Sequence, residues 1–439
     1  MKALRSMIGV LLFCSSGALH AQGESVGLTV SGRHLLTPCG DTLILRGVNK
    51  MSIWTDDLDL RKITYAEIKQ SGANCVRIVW LAQPGPFEQD AGPEGLDRNI
   101  QDAIDAGLIP MVELHDATGD LSRLPIIVQY WTRPEVVDVI NKHKRYLLVN
   151  IANEAGDETV TDQQFIDVYS NAVSTLREAG ISTPLVIDAS DWGKNLEQLV
   201  RVGSPLQAAD PDHNLLFSAH LYWALSDGAD ADFIRSQFAQ AIGAGLPFII
   251  GEFTHYFNRG GGCTYETDYE AIIRYCDEFD IGWLAWEWGP GNEFADPTCE
   301  VMNMTSNSMY ATLKDTWAKV VVEASDYGIK QTSVTHYFTA HKGECDPTSV
   351  MEAVRLRGDI LITPNPSPGR PTLHLMLTWG ERVSVKIYDP GGTVMYASEV
   401  TGTTDGLASI PLPISTSGLY ICVVHRRDTV LSAPFIIVE

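Results

Sequence analysis

The sequence predicts an α/β fold, a (β/α)8 (TIM) barrel followed by a small all-β sandwich, and three observations carry that expectation. Over about 290 residues, short apolar runs of strand length alternate with segments of helical period, and glycines punctuate the joins; this is how a parallel α/β chain reads. Two of the runs end in a glutamate, Glu154 after Val149 and Glu252 after Phe248-Ile249-Ile250-Gly251, 98 positions apart. Eight βα units share roughly 250 residues, so that spacing is about three units and sets the two carboxylates on strands 4 and 7, facing each other across one barrel mouth. After about Ser333 the pattern turns to short alternating strands between Pro-, Gly- and Asp-rich turns, as in a small sandwich.

Taken in order, the N-terminus carries Lys2 and Arg5, an apolar run from Met7 to Phe13 and small residues up to Ala21. This reads as a secretory signal, with cleavage expected after Ala21. The expected units are the signal peptide 1–21, the barrel 22–333, a linker 334–358 and the sandwich 359–439. Leu28 to Val30 and Thr42 to Val48 flank Gly40-Asp41, which suggests a hairpin that closes the floor and leads into strand 1. A short helix over 65–71 stops at Gly72. Strand 2 covers 74–79. Leu96, Ile100, Ala103, Ile104 and Leu108 share one helical face, Gly107 ends that helix, and strand 3 runs over 109–115. Thr161 to Gln164 is a capping box opening a helix that Gly180 stops. Strands 5 to 8 are expected over 185–189, 215–222, 247–252 and 282–288, and a last helix over 311–322. The tail offers strands at 372–377, 383–388, 393–397, 419–424 and 434–438.

The formal charge of −23 becomes −25 once Lys2 and Arg5 leave with the signal. A chain this acidic repels nucleic acid and anionic surfaces, so a neutral substrate or a cation is the better fit. The expected mature chain has no membrane span. Its seven cysteines, Cys39, Cys75, Cys263, Cys276, Cys299, Cys345 and Cys422, leave at least one unpaired in an exported protein and leave the connectivity open. None stand at the spacing of a zinc ribbon or a Cys-x-x-Cys redox site.

The strand ends carry the chemistry. Arg77 lies inside the apolar run Val76 to Trp80, where a guanidinium is costly unless a carboxylate meets it; Glu252 is the expected partner. Strand 3 ends in His115-Asp116, and strand 6 in His220-Leu221-Tyr222, whose first and third side chains share a face by the two-residue period. Trp283, Trp286 and Trp288 mark strand 8. A tryptophan cluster usually means core, but beside two carboxylates it is a stacking floor for the apolar face of a sugar.

Together, Val112 to Gly119, Val149 to Glu154, Val186 to Ala189, Phe217 to Tyr222, Ile249 to Phe253 and Gly282 to Trp286 resemble glycoside hydrolase family 5, and most closely its bacterial β-mannanase branch, subfamily 8. The resemblance covers nearly all of 26–333. It implies a secreted endo-1,4-β-mannosidase without cofactor or metal, acting on mannan, glucomannan or galactomannan. By similarity Glu154 is the acid/base and Glu252 the nucleophile. Asn153 would hold the substrate 2-hydroxyl, Arg77 and Tyr222 would bond Glu252, His220 would sit near Glu154, His115 would line the −1 subsite, and Trp286 would be its platform. Trp192 completes the substrate-binding set. Two departures stand out: Ala155-Gly156 follows the acid/base where the branch has a tryptophan, and Glu287 with Gly289-Pro290 follows Trp286. The tail motifs Ile362 to Pro366, Val385 to Asp389 with Gly392, and Ser417 to Tyr420 resemble the C-terminal sorting domain of type IX secretion, which implies export across the outer membrane and that machinery as a partner.

The chemistry follows from two carboxyls alone: one ionised to attack the anomeric carbon, one protonated to release the leaving oxygen. Burial beside a negative neighbour should keep Glu154 protonated near neutral pH. The competing readings are an endo-β-1,4-glucanase on the same scaffold, a silent glycan-binding barrel, and a metal-dependent hydrolase built on His115, Asp116, His220 and His255.

Overall fold

The computed structural model describes residues 27–437 except 57, 86–87, 89, 341–342, 344–359, 364–370, 378–379, 403–406, 415 and 427–429. The expected signal peptide, Cys345 and the Pro364-Asn365-Pro366 motif lie outside these residues. Eight parallel strands form a closed barrel: β1 (Arg46–Lys50), β2 (Cys75–Trp80), β3 (Ile109–Leu114), β4 (Leu148–Asn150), β5 (Leu185–Asp188), β6 (Leu215–His220), β7 (Phe248–Glu252) and β8 (Gly282–Ala285), with β8 bonded to both β7 and β1. Every residue of these strands is buried, because helices cover the outside and side chains fill the inside.

The apolar residues divide into two clusters that explain where the site lies. Residues such as Val48, Val76, Val112, Val149 and Ile250 pack outward against the helices. Cys75, Met111, Leu148, Val186, Leu216, Ile249 and Leu284 form a separate inner plug with Leu28, Leu35, Leu43 and Leu45. The plug seals the N-terminal end of the barrel and leaves polar side chains at the C-terminal mouth. Truncating one of its members, as in Ile249→Ala, would cost about 2–5 kcal/mol.

Several expected boundaries move. The floor hairpin turns at Gly32-Arg33, pairing Thr29–Ser31 with His34–Leu36; Gly40-Asp41 makes a tight turn on Thr37, and Thr42 only bridges Leu36. The helix expected over 65–71 starts earlier, at Leu58–Gln70, and Gly72 does take the left-handed conformation. The closing helix occupies Trp317–Lys319 and continues as a π turn over Val320–Ala324, while Ala311 sits in a 3-10 turn. The linker expected from 334 begins with barrel structure: Phe338 joins the floor plug and stacks on Tyr146 at 5.3 Å, and Arg145 Nε donates to the Gly343 carbonyl at 3.0 Å. Capping box Thr161/Gln164 forms with both reciprocal bonds. Cys263 and Cys299 form a disulfide that ties the hairpin after β7 to the loop after β8; Cys39 is disulfide-bonded too, and Cys75, Cys276 and Cys422 are buried thiols.

The C-terminal unit has two antiparallel sheets. One orders β9 (Ile360–Thr363), β10 (Thr372–Met376) and β13 (Leu407–Pro411). The other orders β12 (Val394–Thr401), β11 (Arg382–Tyr388), β14 (Gly418–His425) and β15 (Val430–Ile437). Leu373 and Leu375 of the first sheet share a core with Val385, Ile387, Cys422 and Phe435 of the second, so the sheets pack face to face. The sequence reading missed β9 and β13.

Candidate active site

Arg77, in the middle of β2, is fully buried, and all five of its N–H donors find an acceptor. Nε donates to Asn150 (2.9 Å); one terminal nitrogen donates to Asn49 (3.0 Å) and Glu252 Oε1 (2.7 Å), the other to Asn153 (2.8 Å) and Asp188 Oδ2 (3.1 Å). A rigid guanidinium fork can reach five acceptors at once, which a lysine could not. Glu113 lies 3.9 Å away, so three buried carboxylates surround this one cation. Burial opposes the charge on Arg77, but Glu113, Asp188 and Glu252 more than offset it and raise its pKa.

Glu252 ends β7 and its second oxygen accepts from Tyr222 Oη at 2.5 Å. Burial, then the negative Glu252, push Tyr222 well above the usual phenol range, so the hydroxyl stays a donor. Tyr222 stands beyond the end of β6, which closes at His220; the two side chains converge on Glu252 across a strand end, and the shared strand face expected from the sequence is corrected accordingly.

Glu154 sits four residues past the end of β4 and not on the strand. Its backbone is left-handed, with φ of 44°, a conformation that costs a non-glycine residue about 1 kcal/mol or more. Three bonds hold it there: its N–H donates to Asp188 (3.2 Å), its carbonyl accepts from Gly119 (2.9 Å), and the Asn153 N–H donates to Leu114 (2.9 Å). His220 Nδ1 meets Glu154 Oε1 at 2.7 Å and lies 3.6 Å from Glu252. One oxygen of each glutamate and a nitrogen of His220 fall within 4.8 Å of one another. Burial pushes the Glu154 pKa up, and Glu252 adds to it against the bond from His220. Burial works against protonation of His220, but Glu252 and Asp188 carry it to about 10, so it is an imidazolium that donates to Glu154. Asp188 would be raised by burial, yet His220 and Arg77 hold it at about 2.

The floor is aromatic. Trp286 follows β8, which ends at Ala285 and not at residue 288 as expected, and donates its indole N–H to Asn292 at 2.9 Å. His115 stacks on Trp286 at 6.1 Å, and Trp54 meets His115 edge-on at 5.3 Å. His115 Nδ1 lies 2.8 Å from buried Glu113; burial disfavours its charge, but Glu113 dominates and raises its pKa. Asn153 donates to Thr118 (2.8 Å) while accepting from Arg77, which fixes its amide orientation.

Arg77, His115, Asn153, Glu154, His220, Tyr222, Glu252 and Trp286 therefore converge. Trp192 stands beside them on the rim: it is 40% exposed, lies against Gly119, whose N–H donates to the Glu154 carbonyl, and has the Lys194 ammonium over its ring. The four residues of the metal-hydrolase reading do not come together as a set, since Asp116 accepts from the N–H groups of Ala82 and Gln83, and His255 stacks on Trp317. Sequence reasoning missed Asn49, Glu113, Asn150, Asp188 and the exposed Trp54. Four of these are polar residues at or near the carboxyl ends of apolar strands, the same signal that found Glu154 and Glu252. Trp54 follows β1 in a short helix and gives no such signal.

Residues 37–292 match the family described as Cellulase (glycosyl hydrolase family 5), and residues 361–438 match the secretion system C-terminal sorting domain. A mannan endo-1,4-beta-mannosidase of Salipaludibacillus agaradhaerens is 31% identical over 313 residues, 70% of this chain and 94% of its own. Among solved structures, the beta-mannanase of Streptomyces thermolilacinus has a TM-score of 0.62 at 28% identity, covering 72% of this chain and 100% of its own. The mannohexaose complex of the Thermomonospora fusca beta-mannanase has a TM-score of 0.60 at 28% identity, covering 70% and 98%. The barrel, the paired carboxylates at its mouth and these matches lead to one conclusion: this chain is a member of glycosyl hydrolase family 5.

Proposed function

We propose that the protein is an exported, retaining endo-β-1,4-mannanase in which Glu252 is the nucleophile and Glu154 the acid/base. The observation that carries the mechanism is the separation of the carboxylates. Oxygens of Glu154 and Glu252 within 4.8 Å fit the about 5–5.5 Å of double displacement and leave no room for the water that an inverting pair, at roughly 6.5–9.5 Å, must hold.

Glu252, bonded by Arg77 and Tyr222, attacks the anomeric carbon while protonated Glu154 gives its proton to the departing oxygen. Forming the glycosyl ester removes the charge on Glu252. The repulsion from Glu252 that helped raise Glu154 is then gone, and the group becomes a base toward water. Asn153, oriented by Arg77 and Thr118, faces the 2-hydroxyl, whose bond strengthens as oxocarbenium character grows. Trp286 with His115 and Trp54 supports the sugar faces on the glycone side. The mannan preference is supported by the named mannanases among the relatives. Export is supported by the sorting-domain match at 361–438. No helix among the described residues is long and apolar enough to cross a membrane.

Reducing-end release from galactomannan, glucomannan and carboxymethyl cellulose tests the substrate. Mannan hydrolysis is expected, abolished in Glu252→Gln. Faster release from carboxymethyl cellulose than from either mannan would make the enzyme a glucanase. An axial product anomer seen by NMR in the first turnover would overturn retention.

A further inference from the structure

Trp286 and Trp54 reach the mouth from two different strands, and one buried carboxyl joins the segments that carry them. Glu287 follows Trp286 after β8 and is fully buried. Its Oε2 accepts from the Met51 N–H at 3.2 Å, and Met51 caps the short helix Ser52–Thr55 on which Trp54 sits. The aromatic floor rests on that joint, since Trp54 meets His115 edge-on and His115 stacks on Trp286. The two sides of the joint are unequally held. On one, the Glu287 carbonyl accepts from Met304 at 3.0 Å and the Trp286 N–H donates to Phe253 at 2.8 Å. On the other, the helix has only four residues, its cap makes no side-chain bond, and Trp54 is 41% exposed; so short a helix depends on its neighbours to stay formed.

The charge around Glu287 does not balance while it is ionised. The charged groups that act on it are Lys50, which ends β1, and Asp56, which closes the Trp54 helix; Glu293, further along its own loop, is bonded to the Gly291 N–H and to Asn303. Lys50 pairs with Asp56 at 3.4 Å, with both side chains buried. With a proton on Glu287, this buried trio is neutral. The carboxyl then also has an O–H to give, beside an Asp56 whose Oδ2 has no partner among the described residues. Without the proton, two carboxylates share one ammonium away from water, and like charges so placed repel strongly. That repulsion falls on Asp56, at the end of the Trp54 helix. Burial, against Lys50 and the Met51 bond, raises the Glu287 pKa to about 7, with Asp56 adding to it, so the charge changes near neutral pH.

We propose that Glu287 is a positioning residue for the glycone platform: neutral, it locks the Trp54 helix to the segment of Trp286, and ionised, it drives Asp56 away and loosens Trp54 over the sugar. This role rests on the polysaccharide hydrolase reading and adds to it a control on how firmly the chain is held. The hydrogen bonds of Glu287 go to Met51 and Met304 and not to Glu154 or Glu252. Its effect therefore belongs to KM for a substrate with a long glycone arm and leaves kcat to the reacting pair.

The test compares the full chain with Glu287→Gln, which keeps an acceptor for Met51 and cannot ionise. On an aryl β-mannotrioside, KM of the parent should rise about three- to fivefold as pH passes through about 7, and in the variant it should stay level, with the kcat profile the same in both. A level KM in the parent, or the same rise in the variant, would overturn the role. Should Glu287→Gln not fold, Asp56→Asn takes its place, with a level KM again expected and a persisting rise again decisive against it. If the parent cleaves an aryl β-cellotrioside and not the mannotrioside, the mannan reading fails, and KM on the cellotrioside decides the role of Glu287. If it cleaves neither, the hydrolase reading fails, and tryptophan fluorescence of the full chain decides. A change centred near pH 7 that is lost in Glu287→Gln and in Trp54→Phe supports the joint; no change, or one that either variant keeps, rejects it.

Discussion

Arg77 and Lys50 are both cations buried at the barrel mouth, on adjacent strands whose residues pair Lys50 with Ile78, yet their surroundings differ. Arg77 has an acceptor for each donor and three carboxylates around it. Lys50 has Thr55 at 2.9 Å, a long contact to the Gly289 carbonyl at 3.5 Å and Asp56 at 3.4 Å. Asp56 Oδ2 and Glu287 Oε1 beside it have no hydrogen-bond partner among the described residues. Around Arg77 every donor of the cation is met, although Glu113 Oε2 and His220 Nε2 have no hydrogen-bond partner among the described residues; around Lys50, under Trp286 and the loop of Trp54, the cation itself has only one close acceptor. The difference teaches that the two clusters are unequal in how their cation is held: the one bonded to Glu252 has an acceptor for each donor, and the one on the adjacent strand does not.

The largest expected effect comes from breaking the network around Arg77. Arg77→Met should cost about 3–5 kcal/mol in chemical unfolding, because it strands buried carboxylates, and Arg77→Lys should recover little of it. Lys50→Met should cost clearly less; equal losses would dissolve the contrast. Next, Glu154→Gln should lower kcat on mannan by about 10²–10⁴-fold. Since burial and Glu252 raise the Glu154 pKa, wild-type kcat/KM should hold to higher pH than an ordinary carboxyl would allow, then fall as the acid deprotonates. On an aryl mannoside that needs no protonation, that alkaline limb should vanish in the variant. A limb that persists would assign the acid elsewhere.

The smallest effect sharpens the second cluster. Burial first, against the opposing Lys50, raises Glu287 from 4.5 to about 7. A carboxyl whose folded pKa is raised stays protonated while the unfolded chain ionises. It therefore adds no penalty below about pH 4.5, and stability declines as pH rises toward 7. Above that the penalty is constant, on the order of 3 kcal/mol. Tm measured from pH 4.5 to 8 should show this decline in the wild type and a flatter profile in Glu287→Gln. Parallel profiles would show that the group is ionised throughout.

The order of the barrel and the two glutamates at its mouth were legible in the sequence, because apolar runs ending in polar residues report a parallel strand and its mouth together. The supporting shell was not. Asn49, Asn150 and Asp188 look like ordinary strand-end polar residues until closure of the barrel brings them onto one guanidinium. Tyr222 was found through the wrong geometry, since the two-residue period holds only while a strand lasts, and β6 ends at His220. The first turns of the helix over 58–70 escaped detection because Asp59, Arg61 and Lys62 interrupt the apolar pattern there.

The left-handed backbone at Glu154 sets folding and chemistry against each other at a single position. Glycine there would relieve the torsion and also remove a carboxyl that burial and Glu252 keep from ionising. A library of this chain selected only for heat resistance would therefore tend to accumulate sturdy, inert molecules at residue 154, and selection for turnover is what keeps the less comfortable side chain in place.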